Sequence, residues 1–243
     1  QHSACKFHYL PPVIFLNTYN DFLLYKIMTL VFFDLDDTLL AGDTEAAWAD
    51  YMSENNLISD NSFHKKIAEF ESQYREGKLN VFRYTQLLLS PIAGMKIEEV
   101  NVLVKPFAKR IVDDYKDQLT DDLIKRHAND ECLITSGTLT FLVKEIAFIL
   151  GIKVFFGTDP EILNGVYTGN LNGNPNFEEE KVIKIKKWLG LREVNETVAY
   201  SDSVHDLPLL SYAKNSTVIN PDKELRKIAS SRGWLIDDSR LEI

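Results

Sequence analysis

The chain has 243 residues, enough for one domain of ordinary size or for a core with an inserted subdomain. It is 45% hydrophobic and 26% charged, as soluble globular proteins are, and its net charge of −9 with no basic tract argues against nucleic acid as a partner. No apolar run approaches the roughly 18 residues a bilayer span requires, and two cysteines, Cys5 and Cys132, are too few for a disulfide framework.

Residues 1–27 begin with Gln, hold the pair Pro11-Pro12, and contain the apolar patch PPVIFL, too short for a signal sequence and without a small-residue cleavage site. The expectation is a natural start at Met28, with 1–27 an extension outside the core. The first clean strand follows at TLVFFD (29–34) and ends in Asp34, Asp36 and Asp37. From Asp43 to about Asp114 no strand is convincing. EAAWADYMSENN, SFHKKIAEFESQYREG, VFRYTQLLLSPIAG and KIEEVNVLVKPFAKRIVDDY read as four helices, an insert placed to cap a sheet edge. Trp48, Tyr51 and Tyr84 fit the packing core of that insert.

Strand-like runs then return at CLITS (132–136), KVFFG (153–157), TVAYS (197–201) and STVIN (216–220). Cys132, inside the first of these, reads as a buried free thiol, which fits a reducing cytoplasm. FLVKEIAFILG (141–151) and EEEKVIKIKKWLG (178–190) are helical, each closed by Gly, and VYTGNLNGN (166–174) reads as a small hairpin. Near-continuous apolar strands alternating with helices predict an α/β fold, a parallel sheet with helices on both faces. The expected division is a core of 28–43 and 115–243 with a helical cap over 44–114.

Ligands of open α/β sheets bind beyond the carboxyl ends of the strands. Asp34 and Asp36 follow the first strand, Ser136-Gly137 ends the CLITS strand, Asp202 follows TVAYS with Asp206 four residues on, and Lys181 opens a helix. Clustered carboxylates repel one another and need a compensating cation. Oxygen ligands suit Mg²⁺, and the metal, Lys181 and Ser136 can together bind a phosphate. In that reading Asp34 attacks phosphorus and Asp36 transfers protons. Each feature alone has a bland reading: a turn, a solvated lysine, a helix cap. Their order and placement at strand ends favour a joint site. His8, His64 and His127 have no partners at ligand spacing and read as surface residues.

DLDDT resembles the DxDxT motif of the haloacid dehalogenase-like phosphohydrolases, and LITSG, Lys181 and SDSVHD follow in the order of that family. LLAGDTEAAW, NGVYTGNLNGNP, SDSVHDLPLL and VINPDKELRKIASSRGW resemble its phosphoserine phosphatase and histidinol-phosphatase subgroup, so the likeness spans Thr29 to Asp238. The resemblance implies a Rossmann-like core and Mg²⁺-dependent hydrolysis of a small phosphorylated metabolite. It makes Asp34 nucleophile and metal ligand, and Asp36 acid/base with its backbone carbonyl on the metal. Ser136, Gly137 and Lys181 bind phosphate, Asp202 completes the metal site, and Asp206 and His205 support it. His205 replaces the subgroup's usual Asn, and Asp43 replaces the Glu that meets a substrate amine. Asp43 is either that amine ligand or the N-cap of the first cap helix. Arg83 and Arg75 are the candidates for gripping a substrate carboxylate. A phosphotransferase using an alcohol acceptor and a non-catalytic phosphometabolite-binding protein are the alternative readings, and the oligomeric state is open.

Overall fold

The computed structural model describes residues 29–58 and 61–240; the expected extension, Cys5 and His8 lie outside the described residues. Strand β1, Leu30–Phe33, is fully buried, as an apolar run flanked by strands on both sides should be. It pairs in parallel with β2 (Glu131–Leu139) and β6 (Thr197–Ser201). With β3 (Val154–Thr158), β7 (Asn215–Ile219) and β8 (Leu235–Asp237) they form one six-stranded parallel sheet of order β3-β2-β1-β6-β7-β8. The register decides where chemistry can occur. Phe33 lies opposite Ile134 and Tyr200, so the residues just past these strands come out together at one edge.

Alternate residues of β1 feed separate cores. Val31 and Phe33 pack with Phe107, Leu142 and Ile146, whereas Leu30 and Phe32 pack with Ile185, Leu209 and Leu225. The first face is covered by α4 (Ile97–Tyr115), α5 (Gln118–Arg126) and α6 (Thr140–Leu150), and the second by α7 (Glu179–Leu189), α8 (Leu207–Tyr212) and α9 (Lys223–Arg232). The expected parallel α/β sheet with helices on both faces is present.

Between β1 and α4 lie α1 (Thr44–Glu54), α2 (Asn61–Arg75) and α3 (Val81–Leu89), so the four helices read from periodicity all form. Trp48 ties them to the sheet's helices. It is fully buried, stacks on Tyr51 at 5.7 Å, and meets Phe107 and Phe141 edge-on at 4.9 and 6.0 Å. Truncating so enclosed an aromatic costs about 3–5 kcal/mol.

Four readings need correction. The hairpin is not within 166–174: β4 (Pro160–Leu163) pairs with β5 (Val166–Leu171) across Asn164-Gly165. Both turn residues have positive φ, 51° and 79°, which is what a two-residue hairpin turn demands. His127 is buried rather than on the surface, its ring bonded to Asp130 and to the Tyr200 hydroxyl at 2.8 Å each. Cys132 is half-buried, and burial pushes its thiol up to about 11. Strand β2 continues past Ser136 to Leu139, with a register shift against β3 between Thr135 and Leu139. That irregular stretch crosses so close to Gly157 that a Cβ there would stand 2.6 Å from the Thr138 carbonyl.

Candidate active site

Asp34 follows β1 directly, and its N–H is held by the Tyr200 carbonyl at 3.0 Å. Its carboxylate receives Lys181 Nζ at 2.7 Å, and the same ammonium donates to Asp206 at 2.7 Å. Ser201 Oγ donates to Asp206 at 2.8 Å. Lys181 is 3% exposed at the start of α7, so desolvation works against its charge. The Asp206 and Asp34 carboxylates outweigh that and raise its pKa. Burial, with repulsion from Asp206, pushes the Asp34 carboxyl up to about 7 even though Lys181 opposes the shift. One lysine shared between two carboxylates leaves negative charge uncompensated.

The loop after Asp34 is set by backbone geometry. Asp37 sits at φ 51°, and the Leu40 N–H reaches back to the Leu35 carbonyl at 2.9 Å, folding the segment under β1. This turns Asp36 toward the site. Its Oδ1 accepts the Thr44 N–H at 2.7 Å and its Oδ2 accepts Thr138 Oγ1 at 2.6 Å and Ser136 Oγ at 3.4 Å. Thr38 reaches across to Asp202: the hydroxyl donates to Oδ1 at 3.0 Å and accepts the Asp202 N–H at 2.9 Å. Burial, then Asp34 and Asp37, raise the Asp202 carboxyl well above its usual range. Behind Ser136, the buried Asn176 amide donates to the Ser136 carbonyl at 2.9 Å and to Thr135 Oγ1 at 3.1 Å.

Asp34, Asp36, Asp43, Ser136, Gly137, Lys181, Asp202, His205 and Asp206 all line one cavity of 470 Å³. The helices of the insert complete it with Glu45, Phe70, Tyr74 and Tyr84. Asp43 caps α1, accepting the N–H groups of Glu45 and Ala46 at 2.9 Å each, and also lines the cavity. The two sequence readings of Asp43 are therefore geometrically compatible. Packed atoms around it, then Asp36, raise its carboxyl to about 6. Arg83 is exposed and does not line the cavity; the side chain of Arg75 is outside the described residues. His205 is clamped between the rings of Tyr74 and Phe177, with centroids 4.9 and 4.8 Å away, and its Nδ1 lies 3.1 Å from Glu178. Tyr74 on α2 bonds Ser203 at 2.8 Å, joining the insert to the sheet edge.

Sequence reasoning passed over Thr138, Asn176, Glu45 and Arg240. Only Thr138, two residues past Ser136 in LITSGT, carried a local signal. Among the described residues no group of three or more His, Cys, Asp or Glu side chains converges to hold a metal ion. The donor set nonetheless fits a hard cation. Asp34 is the carboxylate that most opposes ionisation of Asp202, the first is buried and the second half-buried without enough positive charge, and the available ligands are oxygens.

Comparison with known proteins agrees with this geometry. The family model described as haloacid dehalogenase-like hydrolase matches residues 31–211. A histidinol-phosphatase of Neisseria meningitidis serogroup C is 32% identical over 213 residues, covering 84% of this chain and 96% of its own. A Bordetella pertussis protein of unknown function superposes with a TM-score of 0.80 at 30% identity, over 88% of this chain and 99% of that one. A substrate-bound phosphoserine phosphatase shares the fold, with a TM-score of 0.66 at 21% identity over 88% of this chain and 95% of that one. The chain belongs to the haloacid dehalogenase-like hydrolase family. Within it the chain falls among the phosphatases that resemble histidinol- and phosphoserine phosphatases. Among the described residues no helix is long and apolar enough to cross a membrane.

Proposed function

We propose that this phosphatase hydrolyses a small amine-bearing phosphomonoester of the histidinol-phosphate type through an aspartyl-phosphate on Asp34. Asp34, at the end of the central strand, accepts a hydrogen bond from the buried Lys181. Its oxygen attacks phosphorus as the ester P–O bond breaks, and Asp36 gives its proton to the departing alkoxide. Water then attacks the acyl phosphate, Asp36 takes the water's proton, and the bond from phosphorus to Asp34 breaks to release inorganic phosphate. Lys181 and the Ser136-Gly137 loop hold the phosphoryl oxygens, and Asp206 keeps Lys181 aimed. Asp34, Asp202 and the Asp36 carbonyl would hold Mg²⁺, which supplies neutralisation of phosphoryl charge when bound. The segment 44–114 serves as the cap that shields this chemistry from water.

One observation carries the choice of substrate. Asp43 and Glu45 both line the cavity. A substrate carboxylate would meet repulsion there; an ammonium would meet attraction in a partly desolvated space. The test is phosphate release from histidinol phosphate, phosphoserine and glycerol phosphate, with and without added alcohol. The expected order of kcat/KM is histidinol phosphate first, with no phosphorylated alcohol formed. A preference for phosphoserine, or transfer to the alcohol, would overturn the reading.

A further inference from the structure

The strongest unexplained feature of the cavity is Glu45. It lies in the first turn of α1, two residues past the Asp43 cap, and faces the cavity. Tyr84 and the Leu139 backbone hold the carboxyl, yet its Oε1 is enclosed with no hydrogen-bond partner among the described residues. An enclosed carboxylate oxygen left unbonded is costly, the more so when it is charged. Burial raises the Glu45 carboxyl well above its usual range, and Asp43 and Asp36 add to the shift. None of the proposed catalytic steps uses it. A ligand group that donates a hydrogen bond would relieve both penalties.

We infer that Glu45 is a specificity-determining residue that receives a second nitrogen function of the substrate's alcohol, distinct from the one met by Asp43. Asp43 caps α1, Glu45 lies two residues further on in its first turn, and both line the cavity, so the pair can meet two donors on one leaving group. Phe70, Tyr84 and Phe177 supply aromatic walls to the same cavity. Flat aromatic surfaces favour a planar group between them. The substrate class that satisfies all three features is a phosphorylated amino alcohol bearing an N–H donor on a planar ring. A simple alcohol leaves Oε1 unpaired, which is how a polar site rejects an analogue lacking the donor. This inference rests on the phosphatase reading above.

The test compares wild type with Glu45→Gln, which keeps volume and removes charge, and with Glu45→Asp, which shortens the reach. The discrimination ratio is kcat/KM for histidinol phosphate divided by that for glycerol phosphate. Glu45→Gln should lower it by at least about tenfold, mostly through KM. Calorimetric affinity for unphosphorylated histidinol should fall in parallel, with the melting temperature held. Equal losses for both esters, tracking a lower melting temperature, would make Glu45 structural and overturn the inference. So would an unchanged ratio. Should Glu45→Gln fail to fold, Glu45→Asp decides by the same ratio. If wild type cleaves neither ester, the phosphatase reading of the site fails, and histidinol binding alone decides Glu45. A Glu45-dependent affinity would sustain its role, and absent or Glu45-independent binding would end it.

Discussion

Arg240 holds Thr38 in place: its Nη1 donates to the Thr38 carbonyl at 2.8 Å, across 202 positions of sequence. The same guanidinium reaches the Asp37 carbonyl at 3.0 Å and pairs with Asp117 at 2.6 Å. Thr38 in turn supports Asp202, so Arg240 braces the loop after Asp34. Arg240→Ala should cost about 1.5–3 kcal/mol, as charge-assisted hydrogen bonds do, and lower kcat. The Asp117 carboxyl feels burial, which raises it, but Arg240 prevails and the pKa is lowered. A carboxyl lowered on folding stabilises above its unfolded pKa and loses that contribution as pH falls through the folded one. The difference between variant and wild type in melting temperature should therefore be full at neutral pH and shrink in acid below about pH 4. A constant difference would remove Asp117 from the account.

Asp34→Asn should abolish turnover, to below about 1% of wild type, while leaving the fold intact, because volume is kept and the nucleophile is lost. Phosphate release and a circular dichroism melt give the two readouts. Substantial residual turnover would mean that water, not Asp34, attacks phosphorus.

Thr138→Val removes the 2.6 Å hydrogen bond to Asp36 at nearly constant volume. The expected result is a fall in kcat of roughly tenfold with KM little changed, since the bond orients the proton-transfer group rather than the substrate. A change confined to KM would place Thr138 in substrate binding instead.

Chelator should silence the enzyme, Mg²⁺ should restore it, and Ca²⁺ should not. Ca²⁺ accepts more ligands at longer distances and loosens in-line geometry. Full turnover in excess chelator would dismiss the metal role assigned to Asp34 and Asp202.

Tyr74→Ala deletes both the Ser203 hydrogen bond and the ring packed on His205. If the helical insert closes over the site through this contact, kcat/KM should fall several-fold with little change in melting temperature. Unaltered kinetics would show that closure does not use Tyr74.

The sheet, its flanking helices and the residues that meet at its carboxyl edge, Asp34, Ser136, Lys181 and Asp202 among them, were legible in the sequence. Buried parallel strands need continuous apolar runs, and their ends must carry whatever polar chemistry the sheet edge displays. TLVFFD and TVAYS announce themselves for that reason, and so do Asp34 and Asp202. The hairpin was misplaced because a two-residue turn needs positive φ twice, and Asn164-Gly165 sits just before the stretch that drew attention. His127 was misread because its partner Tyr200 lies 73 positions away. Tertiary structure alone decided which solitary residues serve the site. Arg240 reaches the loop after Asp34, Asn176 holds the strand end that carries Ser136, and Glu45 lines the cavity with one carboxylate oxygen enclosed and unbonded. Periodicity records which face of an element is buried, and so it finds elements and their ends. A single long-range hydrogen bond leaves no repeat in the chain, and only folding brings its two partners within 3 Å.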